Sequence, residues 1–311
     1  MFRRFHEQRK EVGTIYKQVS AFQASKLGAS MVSENIADHI RNYLIDKPKD
    51  YRPLLCCWRG GLRSSSMATV LRSVGWQAGV VTGGYRAYRH FVVNFLKEFT
   101  PARVIVINGY TGSGKTLLLK TLATMGQQVL DLEGLANHKG SVFGGDPNHP
   151  QPAQKRFESL IYDQLVQFDP SVPIFIEAES AKVGRLNLPN PLWQQMKGAS
   201  VFEVSCSLAN RANYLVDDYH EWLDDEDRIL TTIERLRGFH AHALLDQWCN
   251  DAREKQWQAL VESLLSEHYD KRYKSGGSSY FQEPSSQFCL QNHSESAITE
   301  CAESLIRAAK L

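Results

Sequence analysis

Gly109-Tyr110-Thr111-Gly112-Ser113-Gly114-Lys115-Thr116 follows directly on Val104-Ile105-Val106-Ile107-Asn108 and runs on into Leu117-Leu118-Leu119-Lys120-Thr121-Leu122-Ala123. The octet fits the phosphate-loop spacing G-x-x-x-x-G-K-[ST]. The β-branched run before it reads as a buried parallel strand, and the Leu-rich run after it as a helix. Gly109, Gly112 and Gly114, with Ser113 between them, let the backbone turn tightly and aim N–H groups at phosphate oxygens. Lys115 brings a point charge to the terminal phosphates, Thr116 offers a hydroxyl to Mg²⁺, and the positive end of the helix faces the anion. Strand, loop and helix in this order predict an α/β protein whose parallel sheet carries a phosphate loop.

Working outward, the run 128–133 reads as a strand ending in Asp131 and Glu133, and 134–152, rich in Gly, His, Asn and Pro, as a loop long enough to line a site. A helix is predicted over 154–168. Strands follow at 172–177, ending in Glu177 with Glu179 two residues on, and at 200–205. An acidic helical region runs from 208 to about 268, a Gly/Ser turn sits at 276–279 and an amphipathic helix closes the chain at 295–309. Upstream, residues 1–50 are helical in character, with Ser33 as N-cap of a helix over 34–45. Strands at 53–57 and 78–82 alternate with helices at 65–74 and 85–99. Pro101 marks the expected boundary between domains 1–100 and 101–311.

The chain of 311 residues can hold two cores, and 42% hydrophobic with 23% charged residues is ordinary globular composition. A net charge of +2 is no basic footprint, so a nucleic-acid partner has to be argued from sites. No signal-peptide core and no stretch of about 18 apolar residues occurs, which gives the expectation of a cytoplasmic protein without a membrane partner. Cys56, Cys57, Cys206, Cys249, Cys289 and Cys301 show no zinc spacing and read as free thiols; no tightly bound cofactor is expected. His240 and His242 lack the i, i+4 spacing of a metal helix and read as surface or satisfied histidines.

A second chemical element is Cys57-Trp58-Arg59-Gly60-Gly61-Leu62-Arg63, which puts a cysteine at a strand end and an arginine at the mouth of a helix. Amides of such a loop converge on one point; with Gly60, Gly61, Arg63 and the helix N-terminus they form an anion cradle that lowers the thiol pKa. Cys57 is then a thiolate nucleophile facing an oxyanion or a bound sulfur species. Cys56 points to the opposite face of the strand and reads as a packing thiol.

This loop resembles the active-site loop of the rhodanese superfamily, and its C-x5-R count is also similar to the dual-specificity phosphatases of that fold. A rhodanese-like half followed by a phosphate-loop half is similar to the bacterial tRNA 2-selenouridine synthase family. The blocks that carry the likeness are 12–17, 56–64, 83–87, 112–116, 131–144 and 177–180, in that family's order. The resemblance implies a tRNA-modifying transferase acting on the wobble 2-thiouridine. It would attach a geranyl group to sulfur from geranyl diphosphate and then replace the geranylated sulfur with selenium from selenophosphate, supplied by a selenophosphate-producing partner. Cys57 takes the selenation role. Lys115, Thr116 and the loop amides would hold the diphosphate, with Thr116 and Glu177 the candidates for Mg²⁺ and Asp131, Glu133 and Glu179 as further site carboxylates.

Trp58, Arg59, Arg86, Lys139 and Lys182 are candidate tRNA contacts, the bland reading of the basic residues being solvated surface scatter and of Trp58 packing within its own domain. Family members begin with a further strand and an Asp-Val-Arg-type segment. The expectation is therefore an N-terminally incomplete rhodanese-like domain, with geranylation retained and selenation weak. The competing classes are a P-loop NTPase or kinase with a rhodanese-like sulfur-carrier or redox-sensing appendage, with Arg211 and Arg228 in the right half of the chain for lid arginines, and a phosphate-binding regulator whose thiol senses oxidation.

Overall fold

The computed structural model describes residues 2–310 apart from 60, 102, 142, 146–148, 224 and 274–279, with the backbone alone for 2–6, 221 and 222. The chain falls into two compact units, Met1–Phe91 and Val92–Leu311, a division that lies upstream of Pro101.

In the first unit α1 (Phe2–Gln18) packs on α2 (Ala21–His39), with Asn35 Nδ2 donating to Gln8 Oε1 at 3.0 Å. Ser20 starts α2: its hydroxyl accepts from the N–H groups of Phe22 at 3.2 Å and Gln23 at 3.5 Å. This corrects the expected start at Ser33, whose hydroxyl donates back to the Ala29 carbonyl at 2.9 Å. Inside a continuous helix the amides are already paired, so a mid-helix serine has nothing to cap. A π turn, Ile40–Leu44, continues α2. Two short strands then pair in parallel, β1 (Leu54–Leu55) with β2 (Gly79–Val80). They alternate with α3 (Leu62–Val74) and α4 (Gly84–Glu98). Both strands are shorter than the runs read at 53–57 and 78–82, so Cys56 and Cys57 stand in the loop after β1. Leu44, Ala68, Leu71, Trp76 and Ala78 form this unit's core.

The second unit begins inside α4, at Val92, and continues with β3 (Val104–Asn108), α5 (Lys115–Thr124), β4 (Gln128–Leu130), α6 (Leu132–Ala136) and α7 (Gln154–Leu165). Next come β5 (Ile174–Glu177), the antiparallel hairpin of β6 (Lys182–Val183) and β7 (Leu186–Asn187), α8 (Asn190–Lys197) and β8 (Ser200–Ser205). The helical region comprises α9 (Leu208–Asp218), α10 (His220–Leu223), α11 (Glu226–Glu234), α12 (His242–Arg253), α13 (Trp257–Leu264), a π turn at Leu265–Tyr269 and α14 (Asp270–Arg272). It has its own core around Ile233, Leu245, Trp248 and Leu260. The chain then adds β9 (Ser286–Cys289) and α15 (Glu295–Ala309).

Five strands form one parallel sheet in the order β4-β5-β3-β8-β9. All five residues of β3 are buried, which is why the run reads as continuously apolar rather than alternating. Ile105 and Ile107 pack with Leu118, Leu119 and Leu122 of α5 and with Ile298, Ala302 and Leu305 of α15. The strand expected at 128–133 stops at Leu130, because the Asp131 carboxylate turns to accept the Gly134 N–H at 2.7 Å and caps α6. His240 Nε2 lies 2.8 Å from His268 Nδ1, and His242 Nδ1 lies 2.9 Å from Arg237 Nη1, so both histidines are satisfied. All six cysteines are free thiols. Among the described residues no helix is long and apolar enough to cross a membrane. The turn read at 276–279 lies outside the described residues.

Leu122 is wholly buried where α5 meets the sheet and α15. Leu122→Ala is expected to cost about 3 kcal/mol in a denaturant titration. Leu62→Ala, at a side chain 87% exposed, should change stability by less than about 0.5 kcal/mol.

Candidate functional site

The phosphate loop turns away from the C-terminal end of β3 at Gly109, whose φ is 153°. A Cβ there would stand 2.3 Å from the Val204 carbonyl oxygen on the neighbouring strand and 2.6 Å from Ser113 Oγ. Backbone on one side leaves nothing able to yield, so only glycine passes between β3 and β8. Gly112 follows in the turn, and Gly114 precedes the first residue of α5. Lys115 Nζ donates to the Gly109 carbonyl at 2.8 Å and the Tyr110 carbonyl at 3.3 Å, folded over the loop it is meant to charge. Ser113 Oγ is buried without a partner.

Carboxylates gather on the same rim. Glu177, at the end of β5, is 2% exposed. Its Oε1 accepts the Glu133 N–H at 2.6 Å, whereas Oε2 is buried and unpartnered. Thr116 Oγ1 donates to Glu133 Oε2 at 3.4 Å. Burial first, then the charges of Asp131 and Glu133, hold the Glu177 carboxyl well above the usual carboxylate range. Burial and Glu133 do the same to Glu179. Burial raises Glu133 as well, against the pull of its Glu179 hydrogen bond and of Lys115. Burial lowers the Lys115 ammonium, with Glu133, Glu179 and Glu177 opposing. Asp131 is spent as the cap of α6.

One lysine among these carboxyls leaves the rim short of positive charge. The orphaned Glu177 Oε2 and the Thr116 hydroxyl, which are joined only through Glu133, are the groups here that suit a divalent cation, and Mg²⁺ takes few protein ligands when phosphate oxygens supply the rest. Among the described residues no three His, Cys, Asp or Glu side chains are grouped so as to hold a metal ion.

The long loop after α6 closes over these groups. A Cβ on Gly140, whose φ is 66°, would meet Glu133 Oε1 at 2.5 Å and Glu179 Oε1 at 2.7 Å. The loop is tied at both ends. His138 N–H donates to the Glu133 carbonyl at 3.1 Å, and Arg228 Nη2 donates to the Gly145 carbonyl at 2.8 Å. Lys139 Nζ pairs with Asp218 Oδ2 at 2.6 Å and lies 4.3 Å from the Tyr219 ring centroid. Its side chain is 47% exposed, so this pair lies at the surface.

Two residues at this loop were not assigned to it from the sequence. Arg211 was read only as a candidate lid arginine; it is buried, holds Asp270 through both terminal nitrogens at 2.9 and 2.7 Å, and donates to the Thr111 carbonyl at 3.1 Å. His293 belongs to no motif. Its Nε2 bonds the Gly112 carbonyl at 2.9 Å and its ring stacks on Tyr214 at 4.4 Å and 12°.

In the first unit Cys57 Sγ accepts the Gly61 N–H at 3.2 Å and lies 3.2 Å from Ser64 Oγ. Burial pushes this thiol up, but the Ser64 hydroxyl and the backbone N–H groups of Ser64, Arg59 and Gly61 outweigh it and bring the pKa down to about 7. Ser64 was missed in the sequence, where Arg63 was given the role. Arg63 is exposed on the first turn of α3, and Gly60 lies outside the described residues. Cys56 is exposed, not a buried packing thiol, because β1 ends before it and the strand alternation no longer applies. Trp58 and Tyr85 stack on each other at 5.3 Å and 28°. The Tyr85 and Arg86 N–H groups bond the Cys57 and Trp58 carbonyls at 2.9 and 3.0 Å, so the 83–87 turn braces the thiol loop. Arg59, Arg86 and Lys182 are exposed.

Comparison with known proteins agrees with this arrangement. The model of the tRNA 2-selenouridine synthase AAA domain matches residues 102–305, the segment that carries the phosphate loop, the carboxylates and α15. A tRNA 2-selenouridine synthase of Nitrosomonas europaea is 36% identical over 218 residues, 68% of this chain and 56% of that protein. Those of Marinobacter nauticus and Pseudomonas syringae pv. syringae are 31% identical over 301 residues and 33% over 299, in each case 86% of this chain and 80% of the relative. The chain thus spans little more than half of the first relative's length and four-fifths of the other two. With the likeness extending through both the thiol loop and the phosphate loop, the chain belongs to the tRNA 2-selenouridine synthase family.

Proposed function

We propose that the protein converts the wobble 2-thiouridine of tRNA to 2-selenouridine through an S-geranyl intermediate, with geranyl diphosphate and selenophosphate as co-substrates. The observation that carries this reading is the presence, in one chain of this family, of two loops of different chemistry: one with the phosphate-loop spacing and Lys115 folded over it, and one whose amides surround a thiol with a pKa of about 7.

In the first half-reaction the loop amides, Gly109, Gly112, Ser113, Gly114, Lys115 and Thr116 hold the diphosphate. The thiouridine sulfur attacks the terminal geranyl carbon, the carbon–oxygen bond breaks, and pyrophosphate leaves with the electron pair while the base loses its N3 proton. Lys115 swings from the Gly109 and Tyr110 carbonyls onto the phosphate oxygens. Thr116 with Glu133 or Glu177 would hold Mg²⁺, which neutralises charge on the departing pyrophosphate. The closing loop at Gly140 keeps water from the carbocation-like carbon.

In the second half-reaction the selenium of selenophosphate, whose oxyanion the Cys57 loop takes on its amides, adds to C2 of the base and geranylthiolate leaves with its electron pair; water then adds to phosphorus, the selenium–phosphorus bond breaks, and phosphate and 2-selenouridine are released. Cys57, with a pKa of about 7, accepts the proton of that water. Trp58, Arg59, Arg86 and Lys182 are the exposed groups for the tRNA. A phosphoryl-transferring or ATP-hydrolysing enzyme is the competing reading, favoured by the placement of Glu177 beside the loop threonine's carboxylate partner. Mass spectrometry of tRNA nucleosides after incubation with geranyl diphosphate, then selenophosphate, tests the proposal. Unchanged nucleosides with phosphate release from ATP would replace it by the alternative.

Lys115→Ala should abolish geranylation, whereas Cys57→Ala should spare geranylation and block selenation; equal loss of both in folded Cys57→Ala protein would refute the division of labour. A further expectation concerns Ser64, whose hydroxyl stabilises the thiolate. Ser64→Ala removes a group that favours the charged form, so the Cys57 pKa rises and less thiolate remains at neutral pH. The rate of Cys57 alkylation by iodoacetamide, followed against pH, should show a midpoint near 7 in the native protein and a higher one in the variant, with the rate at neutral pH falling roughly three- to tenfold.

A further inference from the structure

We propose that His293 and Arg211 are positioning residues of the phosphate loop, holding the Thr111 and Gly112 carbonyls outward so that the loop stays open to a diphosphate; this rests on the reading of the loop as a diphosphate site. A trans peptide unit carries its C=O and the following N–H on opposite sides of one rigid plane. Fixing the Thr111 carbonyl on Arg211 therefore turns the Gly112 N–H the other way, and fixing the Gly112 carbonyl on His293 holds the next plane with the Ser113 N–H turned back onto the Tyr110 carbonyl, which accepts it at 3.1 Å.

Without these donors each carbonyl is free to turn inward, where its partial negative charge would face the anion. Lys115 holds the two preceding carbonyls, of Gly109 and Tyr110, only while the loop is without an anion, and gives them up when it turns to phosphate. Arg211 and His293 have no such second task. They are the donors that persist through binding.

Both are built for rigidity. Arg211 is 4% exposed, held bidentately by Asp270, with its guanidinium 5.2 Å from the Tyr110 ring centroid. His293 sits in a short span between the last bond of the sheet, Leu290 N–H to the Ser205 carbonyl at 2.8 Å, and Ser294, the cap of α15. Tyr214 lies flat against its ring, which fixes the direction of the Nε2–H bond. The two donors reach the loop from different elements, α9 and the β9–α15 connection, and each meets one carbonyl.

The test uses the full chain and pyrophosphate with Mg²⁺ as the probe, measured by titration calorimetry. His293→Phe keeps the ring on Tyr214 and removes the donor; His293→Gln restores a side-chain N–H at similar reach. The expected result is about tenfold weaker pyrophosphate binding in His293→Phe and recovery to within about threefold in His293→Gln, with matching thermal unfolding of the two variants. In the geranylation assay the same pair should differ in KM for geranyl diphosphate and not in KM for tRNA. Native affinity in His293→Phe, or equal loss in both variants, overturns the proposal. Arg211→Lys, which keeps the charge and loses the fork, should weaken pyrophosphate binding in the same direction; where it fails to fold, the His293 pair decides alone. Lys115→Ala separates this idea from the one beneath it: pyrophosphate binding unaffected by that change, or absent from the native chain, would remove the diphosphate site itself and the proposal with it.

Discussion

The Glu133 N–H donates to Glu177 Oε1 across the gap between the ends of β4 and β5, and much of the site depends on that one bond. β5 is placed by its ladder with β3, in which Ile107 pairs with Glu177, so the carboxylate stands level with the last residues before the phosphate loop. α6 is placed by Asp131, and its first turn delivers both the amide that Glu177 accepts and the carboxylate that Thr116 meets. A buried carboxylate with only one oxygen satisfied costs stability. It persists here because the parallel ladder and the helix cap fix both partners independently of it.

That frustration is local, and its chemistry follows from it. Glu133, Glu177 and Glu179 crowd one lysine, and burial raises all three carboxyls. A site that is easy to build would have satisfied them within the protein. One that is to grip a charged ligand leaves Glu177 Oε2 waiting, while Gly140 of the long loop packs closely on the Glu133 and Glu179 carboxyls. In the first unit the balance runs the other way: the thiol is stabilised in its charged form by a hydroxyl and by backbone amides, without an ion pair among the groups that lower its pKa. The thiol owes its acidity to groups within seven residues of it, whereas the phosphate loop meets carboxylates brought by α6 and by the end of β5.

Such locality explains what the sequence disclosed. The octet at 109–116 and the strands at 104–108 and 200–205 were legible because a buried parallel strand and a phosphate loop each impose a local pattern. The terminal helix was legible through its 3.6 period, and its bounds at Glu295–Ala309 agree with the reading. β9 was not, since Ser286–Cys289 is a strand only by virtue of its pairing with β8 far upstream. His293 and Arg211 escaped for the same reason: the bonds that define them reach carbonyls of the phosphate loop 181 and 100 residues away in the chain. Ser33 and Ser20 show the limit at short range, because two serines before helical sequence offer the same cap signal, and only the break between α1 and α2 at Ser20 and the continuity of α2 through Ser33 choose between them. Cys56 was misplaced by assuming that a strand runs as far as its apolar residues do.

Gly140 carries a consequence for how this sequence can drift. Its backbone lies in the left-handed region, and the atoms that an added methyl would meet are the ends of two flexible side chains, Glu133 and Glu179. At Gly109 the obstacle is backbone, and a substitution there is paid in folding. At position 140 the fold gives way cheaply at the carboxyl ends, beyond a strain of roughly 1–2 kcal/mol in the turn. Gly140→Ala would therefore leave a protein that accumulates and persists while its carboxylates are displaced, a loss of function that abundance and solubility would not betray.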